Sequence, residues 1–414
     1  MKVVIIGGGS TYTPELMEGF IRLSHLVQDL SITLVDTDVQ KMNTVYEFLK
    51  RMINASDAKI ELSKTTNLEE TLPGADFVIN QVRIGGNRAR LMDETVPLQF
   101  GVLGQETTGP GGFANALRTI PVVLSIAKQV QEHCPKAWFI NFTNPSGIVT
   151  EALLKYSTVK AIGLCNSPIN FCNMFARMFD VTAEDVFLDY FGLNHLSFVR
   201  KVFVNGKDVT TEALAKLPLS NEEQRIVKYL GMFPNYYLRY YYLREEKVKE
   251  AMEKPKRAEE VLKIEQELLT LYKDPTLAEK PPQLSKRGGA FYSTAAVNLI
   301  EHLCGFKRGF QIINVMNNGA IKDLPDDAVV EIPVYIDGSL LKPYMIGTLP
   351  TTVRGTIQAV KAYEQLTIEA AIEGSYSKAV MALAQHPLVS SISLAEKILD
   401  ALMDANAGLF PTLI

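Results

Sequence analysis

The sequence predicts a doubly wound parallel α/β sheet followed by a second α+β region. Three observations carry this. Short β-branched runs alternate with amphipathic helical stretches through the first half of the chain, the pattern of strands joined by crossover helices. The first run, Lys2-Val3-Val4-Ile5-Ile6, breaks straight into Gly7-Gly8-Gly9-Ser10 and then into a helix. The second run ends in an acid, Asp36. Strand, glycine turn, helix and an acid at the next strand's end together make a Rossmann-like, nucleotide-binding arrangement.

In chain order, residues 2–6 are apolar and form a buried first strand. Pro14 opens a helix over residues 15–26, at a first-turn position where its missing N–H costs little. Residues 32–35 are the second strand, and residues 77–80, 138–140 and 159–164 are further buried strands. Helices fit residues 114–132, 147–156 and 168–179. The pattern changes near residue 190. Residues 196–204 alternate like an antiparallel strand, and Asn205-Gly206 is a hairpin turn. Charged helical stretches follow, chiefly residues 257–272. Pro281-Pro282 breaks the chain, a helix resumes over residues 290–303, residues 329–336 form a strand, and two or three helices close the chain. Residues 1–190 are therefore expected to bind a dinucleotide. Residues 191–414 are expected to form an α+β domain for substrate, metal and oligomer contacts.

Of the 414 residues, 47% are hydrophobic and 21% charged, which supplies a large core and excludes a mainly disordered chain. Lys and Arg number 42 against 46 Asp and Glu, a net charge of −4. That leaves no basic excess to attract a phosphate backbone, so no nucleic-acid partner is expected. No apolar run reaches the roughly 18 residues of a membrane span, and the N-terminal run is too short for a secretory signal. The four cysteines, Cys134, Cys165, Cys172 and Cys304, are too sparse for a disulfide scaffold. Free thiols in a reducing cytoplasm are expected.

Amides at a helix start hold a pyrophosphate where glycine lets the phosphate approach the main chain. Gly7, Gly8, Gly9, Ser10 and Thr11 are the expected cofactor contacts. Asp36 is the expected partner of the adenosine ribose hydroxyls, which favours NAD over NADP. The third glycine of the usual motif is missing, and Tyr12 stands in its place. Ligands in open α/β sheets lie beyond the carboxyl ends of the strands. Three polar segments follow strands there: residues 81–90, residues 141–145 and residues 165–168. A fourth, residues 104–112, carries enough glycine to suggest a loop that a ligand approaches closely.

Several residues in and beyond these segments bear chemistry with two readings each. Cys165, before a helix entrance, is either a buried structural thiol, the commoner fate of a free cysteine, or a thiolate polarised by the helix or a metal. His195, in Gly192-Leu193-Asn194-His195-Leu196, is either a satisfied core residue or Cys165's partner in a two-ligand metal site that substrate and water complete. The tyrosine run over residues 236–242 is either an aromatic packing face or the source of a base, if a cation lowers a phenol pKa of roughly 10. Lys286-Arg287-Gly288-Gly289 is a solvated charge pair or an anion site.

Taken together, these motifs resemble glycoside hydrolase family four, the NAD- and metal-dependent glycosidases. The likeness rests on Gly7-Gly8-Gly9-Ser10 with Thr13-Pro14-Glu15-Leu16, Gly104-Gln105-Glu106-Thr107, Asn141-Phe142-Thr143-Asn144-Pro145, Gly163-Leu164-Cys165-Asn166, Gly192-Leu193-Asn194-His195 and Lys286-Arg287-Gly288-Gly289. Six motifs in order run nearly end to end.

The resemblance implies that Cys165 and His195 ligate a divalent metal, usually Mn²⁺. It implies that Tyr237 is the catalytic base, with Tyr236 one residue away as the alternative, and that Glu106 raises the tyrosine's basicity. It implies that Arg90, Asn144 and Arg287 hold a phosphorylated sugar. Asn166 stands where the branch acting on α-glucosides has an acidic proton donor, so the implied substrates are 6-phospho-β-glucosides, either disaccharides such as cellobiose 6-phosphate or aryl glucosides. The implied chemistry is oxidation at carbon 3, proton removal at carbon 2, loss of the aglycone from carbon 1, water addition and return of the hydride. Such NAD-dependent enzymes depart from the two-carboxylate scheme of other glycosidases. A homodimer or homotetramer is implied. The competing expectations are a hydroxy-acid dehydrogenase, a silent nucleotide sensor, and the same family acting on a phosphorylated α-glucoside, galactoside or galacturonide.

Overall fold

A computed structural model describes residues 1–217, 221–288 and 291–414, without the side chain of Asn221. Gly289 of the Lys-Arg-Gly-Gly motif and Ala290, the expected start of the following helix, lie outside the described residues. The strands are β1 (Lys2–Ile6), β2 (Leu30–Val35), β3 (Ile60–Thr65), β4 (Phe77–Asn80), β5 (Trp138–Asn141), β6 (Lys160–Gly163), β7 (Val186–Leu193), β8 (Leu196–Val204), β9 (Lys207–Asp208), β10 (Phe233–Pro234), β11 (Arg308–Met316), β12 (Val329–Asp337) and β13 (Leu340–Pro343). Nine of them form one sheet in the order β13-β12-β11-β6-β5-β4-β1-β2-β3. The six from β6 to β3 in that order are parallel, and β11, β12 and β13 join antiparallel. Helices cover both faces of the parallel part, so β1 and β4 read as unbroken apolar runs.

The doubly wound expectation holds, with one change of scale. Strands after residue 190 extend the same sheet, and the largest apolar cluster unites Val3, Ile5 and Phe113 with Ile332 and Leu402. The expected boundary at residue 190 therefore does not divide the sheet. A second, four-stranded sheet of β7, β8, β9 and β10 stands beside it. The predicted Asn205-Gly206 turn joins β8 to β9, with both residues at positive φ. Three helices, Thr351–Glu373, Tyr376–Gln385 and Ile392–Ala405, close the chain. Sequence periodicity missed β3, β7 and β11. Edge strand β3 carries Glu61, Ser63 and Lys64, and β11 opens with Arg308-Gly309, so neither presents a plain apolar run.

The glycine-rich stretch at residues 104–112 corrects an expectation. Gly109–Gly112 are the first turn of the helix Gly109–His133. A Cβ on Gly104 would lie 1.9 Å from the Glu94 carbonyl oxygen, and one on Gly111 would lie 2.3 Å from that of Gln105. These glycines let chain segments pack against each other, which outweighs their poor helix propensity. Among the described residues, no helix is long and apolar enough to cross a membrane.

Candidate active site

The carboxyl ends of β1, β2, β4 and β5 open onto a cavity of about 1330 Å³. Single drug-sized ligands occupy roughly 300–1,000 Å³, so the space suits more than one. Along one wall lie Gly7, Gly9, Ser10 and Asp36. Gly7 adopts φ +80° and turns the chain. Its amide and that of Gly8 donate to Val35 O at 2.9 and 3.0 Å, binding the turn to β2. Asp36 accepts from Gly9 N at 2.8 Å and from Asp38 N at 2.9 Å. The carboxylate is thus fixed beside the glycine turn, where ribose hydroxyls would lie and a further phosphate would be repelled. Gly8 and Thr11 do not line this wall. A Cβ on Gly8 would meet Leu34 Cβ at 2.7 Å, and Thr11 is fully buried.

Cys165 and His195 come together although 30 residues separate them. Cys165 follows β6 and His195 occupies the two-residue turn between β7 and β8, at φ +64°. Sγ lies 3.4 Å from His195 Nε2, and His195 Nδ1 lies 2.8 Å from Thr107 Oγ1. The Thr107 hydroxyl donates its one proton to Gln105 Oε1 at 2.8 Å. It must therefore accept from His195 Nδ1–H, which leaves the Nε2 lone pair facing the sulfur.

This pair fits a divalent metal. An ion roughly 2.3 Å from sulfur and 2.1 Å from nitrogen needs donors about 3.1–3.6 Å apart for angles between right and tetrahedral. Burial keeps the imidazole neutral, lowering its pKa to about 4 against the opposing pull of Glu106. Burial and the charge of Glu331 push the Cys165 thiol up to about 11. The helix that starts at Ser167 does reach the sulfur, Ser167 N donating to it at 3.4 Å. Burial nonetheless outweighs the polarisation expected from sequence, so a metal rather than the helix would have to draw off the proton. Among the described residues, no cluster of three or more His, Cys, Asp or Glu side chains forms a closed metal site, so the remaining coordination positions would fall to substrate or water.

Tyr237 stacks on His195, ring centroids 3.9 Å apart and planes 12° from parallel. Burial, Cys165 and Glu106 hold its phenol far above the usual range, and Arg90 opposes them. Asn235 Oδ1 accepts from Tyr237 N at 3.2 Å and fixes this short turn. Tyr236 also lines the cavity but is 56% exposed and leans on Arg239. Beside Tyr237, Glu106 Oε2 receives Arg83 Nη1 at 2.5 Å and Arg90 Nε at 3.3 Å. Burial would raise the Glu106 pKa, but the two guanidiniums overcome it and hold it at about 2. Arg90 is buried and also bonded to Glu94 Oε1 at 2.8 Å.

Arg287 lines the same cavity. Burial and repulsion by Arg83 lower its pKa, and its Nε is buried without a hydrogen-bond partner. Two mutually repelling guanidiniums with an unsatisfied donor suit an anion such as a phosphate. Asn144 Oδ1 is likewise buried without a partner, an acceptor suited to a sugar hydroxyl. Asn166 lines the cavity at the start of the helix Ser167–Phe179, its Oδ1 3.9 Å from Cys165 Sγ.

Sequence reading assigned no role to Arg83, Thr107 or Glu331. Arg83 lay inside a polar segment already marked as cleft-forming. Glu331 is fully buried on β12 and accepts from Tyr190 OH at 2.5 Å, Asn194 Nδ2 at 2.9 Å and Asn314 Nδ2 at 3.1 Å. A lone acid within Val329-Val330-Glu331-Ile332 was the signal for it. Nothing in the sequence marks Thr107 as the residue that orients His195.

Comparison with known proteins agrees across the whole chain. Residues 2–181 match the family 4 glycosyl hydrolases, and residues 190–389 match the C-terminal domain of that family. The chain is 43% identical to a probable 6-phospho-beta-glucosidase of Bacillus subtilis, covering 99% of this chain and 97% of that one. It is 29% identical to a phospho-alpha-glucosidase of Clostridium acetobutylicum, over 98% of each chain. A solved structure of the 6-phospho-beta glucosidase from Thermotoga maritima, with manganese, NAD⁺ and glucose-6-phosphate, superposes with a TM-score of 0.94 at 40% identity over 100% of both chains. The chain belongs to glycosyl hydrolase family 4.

Proposed function

We propose that this protein hydrolyses 6-phospho-β-glucosides with NAD and a divalent metal, Mn²⁺ by preference. The observation that carries this is the meeting, around one cavity, of His195 with buried Cys165 in contact behind it, Tyr237 stacked on that histidine, and Arg83 and Arg287 on the cavity wall. The relatives 40% or more identical point to the β-glucoside, and glucose-6-phosphate in the Thermotoga structure supports a phosphorylated sugar as ligand.

In this reading Gly7, Gly9, Ser10 and Asp36 hold the dinucleotide, with Gly8 and Thr11 shaping the turn behind them. Cys165 and His195 hold the metal. When bound, the two groups supply reversible hydride transfer at carbon 3 and polarisation of the sugar oxygens at carbons 2 and 3. Arg287 and Arg83 grip the phosphate, and Asn144 receives a ring hydroxyl. This remote grip positions the sugar for reaction. Tyr237 removes the proton at carbon 2. Glu106 and burial make its phenolate a strong base, and Arg90 favours the phenolate's formation. Asn166 has no acidic proton to give, which leaves departure of the aglycone without a carboxylic acid at that position.

The test is p-nitrophenyl β-glucoside 6-phosphate under reducing conditions, with and without NAD⁺ and Mn²⁺. Cleavage that depends on both, with deuterium from heavy water entering at carbon 2, is the expected result. Full-rate cleavage by the nucleotide-free protein, or net NADH production from a hydroxy acid, overturns it.

A further inference from the structure

Tyr236 stands beside the proposed base and has no part in the chemistry assigned above. We propose that its ring is the platform on which the leaving group sits, a glucosyl or aryl ring joined to carbon 1 of the phosphorylated sugar. The inference rests on the functional reading above and extends it to the aglycone.

The argument begins with the carbon skeleton. In that reading Tyr237 acts at carbon 2 and the bond that breaks is at the adjacent carbon 1, so the departing ring leaves within reach of the cavity wall around Tyr237. Among the tyrosines that line the cavity there, Tyr236 is the one with an exposed ring. Its ring centroid is 6.1 Å from that of Tyr237 and its plane stands at 88° to it. It lines the cavity and is 56% exposed. One face is covered by Arg239, whose guanidinium carbon lies 3.5 Å from the ring centre. Arg239 is itself held, 5.0 Å from the Tyr240 ring and bonded through Nη2 to the Tyr240 hydroxyl at 3.1 Å. Tyr240 in turn packs edge-on against Tyr237, 5.9 Å away.

The ring is therefore braced by Arg239 on one face and by Tyr237 edge-on, while more than half of the residue's surface stays exposed. A half-exposed aromatic ring held rigidly by a cation–π contact loses little entropy when it packs against a ligand. Its flat apolar face suits the C–H face of a pyranose or an aryl ring and has nothing to offer a single methyl group.

The experiment compares kcat/KM for p-nitrophenyl β-glucoside 6-phosphate, cellobiose 6-phosphate and methyl β-glucoside 6-phosphate, with NAD⁺ and Mn²⁺ present. In Tyr236→Ala, the ratio of either ring-bearing substrate to the methyl substrate should fall about tenfold, mainly through KM. In Tyr236→Phe and Tyr236→Trp, that ratio should stay within about twofold of the unmodified enzyme. An equal loss on all three substrates in Tyr236→Ala, or a Tyr236→Phe variant as impaired as Tyr236→Ala, overturns the platform. Failure of the unmodified protein to cleave any of the three overturns the functional reading itself, a separate outcome.

Discussion

Tyr237 and Tyr236 are adjacent in the chain yet meet different surroundings. Tyr237 stacks on His195 and feels Cys165, Glu106 and Arg90, while Tyr236 leans on Arg239 at the cavity surface. We expect Tyr237→Phe to slow turnover by about 10²–10⁴-fold, the usual worth of a general base. The carbon 2 deuterium isotope effect and single-turnover rates are the measurements to make. If Tyr236→Phe is the damaging change instead, the base is Tyr236. On the same cavity, the unpartnered Nε of Arg287 leads to a second expectation. Arg287→Ala should weaken the phosphorylated substrate by about 10–100-fold, as loss of charge-assisted hydrogen bonds does. NAD binding, followed by fluorescence, should be nearly unaffected, and equal loss of both ligands would remove Arg287 from the phosphate site.

At the scale of elements, two buried contacts fix how segments pack. The first is the close packing of the segment carrying Glu106 and Thr107 against the helix Gly86–Thr95. A Cβ on Gly104 would collide with the backbone of Glu94, so Gly104→Ala should destabilise the fold by about 1–3 kcal/mol. Urea unfolding measures this, and a neutral result would show that the loop can move aside. The second is His386, fully buried at the end of the helix Tyr376–Gln385. Leu388 N donates to its Nδ1 at 3.2 Å, so its Nε2–H faces Tyr241 OH at 3.2 Å. Burial lowers its pKa to about 3. Below about pH 6.5 the unfolded chain takes up a proton that the native histidine refuses, so stability falls as pH drops from there to about 3, by up to about 1.4 kcal/mol per pH unit. His386→Gln should flatten that acid limb in unfolding curves recorded between pH 7 and 5. An unchanged slope would rule the histidine out as its source.

At the scale of the molecule, the nine-stranded sheet brings the glycine turn to the cavity, and the four-stranded sheet beside it brings the β7–β8 turn, whose His195 lines the same cavity and touches Cys165 after β6. Ligands that bind only this assembled state stabilise it, by about 2.7 kcal/mol at a concentration 100 times Kd. NAD⁺ and Mn²⁺ should each raise the thermal midpoint under reducing conditions. In Cys165→Ser the Mn²⁺ increment should disappear while the NAD⁺ increment persists. Persistence of both would place the metal elsewhere.

Local pattern was enough to reveal β1 with its glycine turn, the acid at the end of β2, the buried strands β4 and β5, and the β8 hairpin, because each is set by short-range periodicity and turn chemistry. Two of the six motifs hold Cys165 and His195, and the tyrosine run over residues 236–242 offered Tyr237 with Tyr236 as the alternative. The sequence could not show that Sγ and Nε2 face each other at 3.4 Å, that Thr107 sets the histidine tautomer, or that Tyr237 rather than Tyr236 stacks on it. Nor could it show that β11, β12 and β13 complete the first sheet, or that burial outweighs the helix at Cys165. Those are contacts between residues tens to hundreds of positions apart. Their distances, and the desolvation that moves each proton, come into being only when the chain closes on itself.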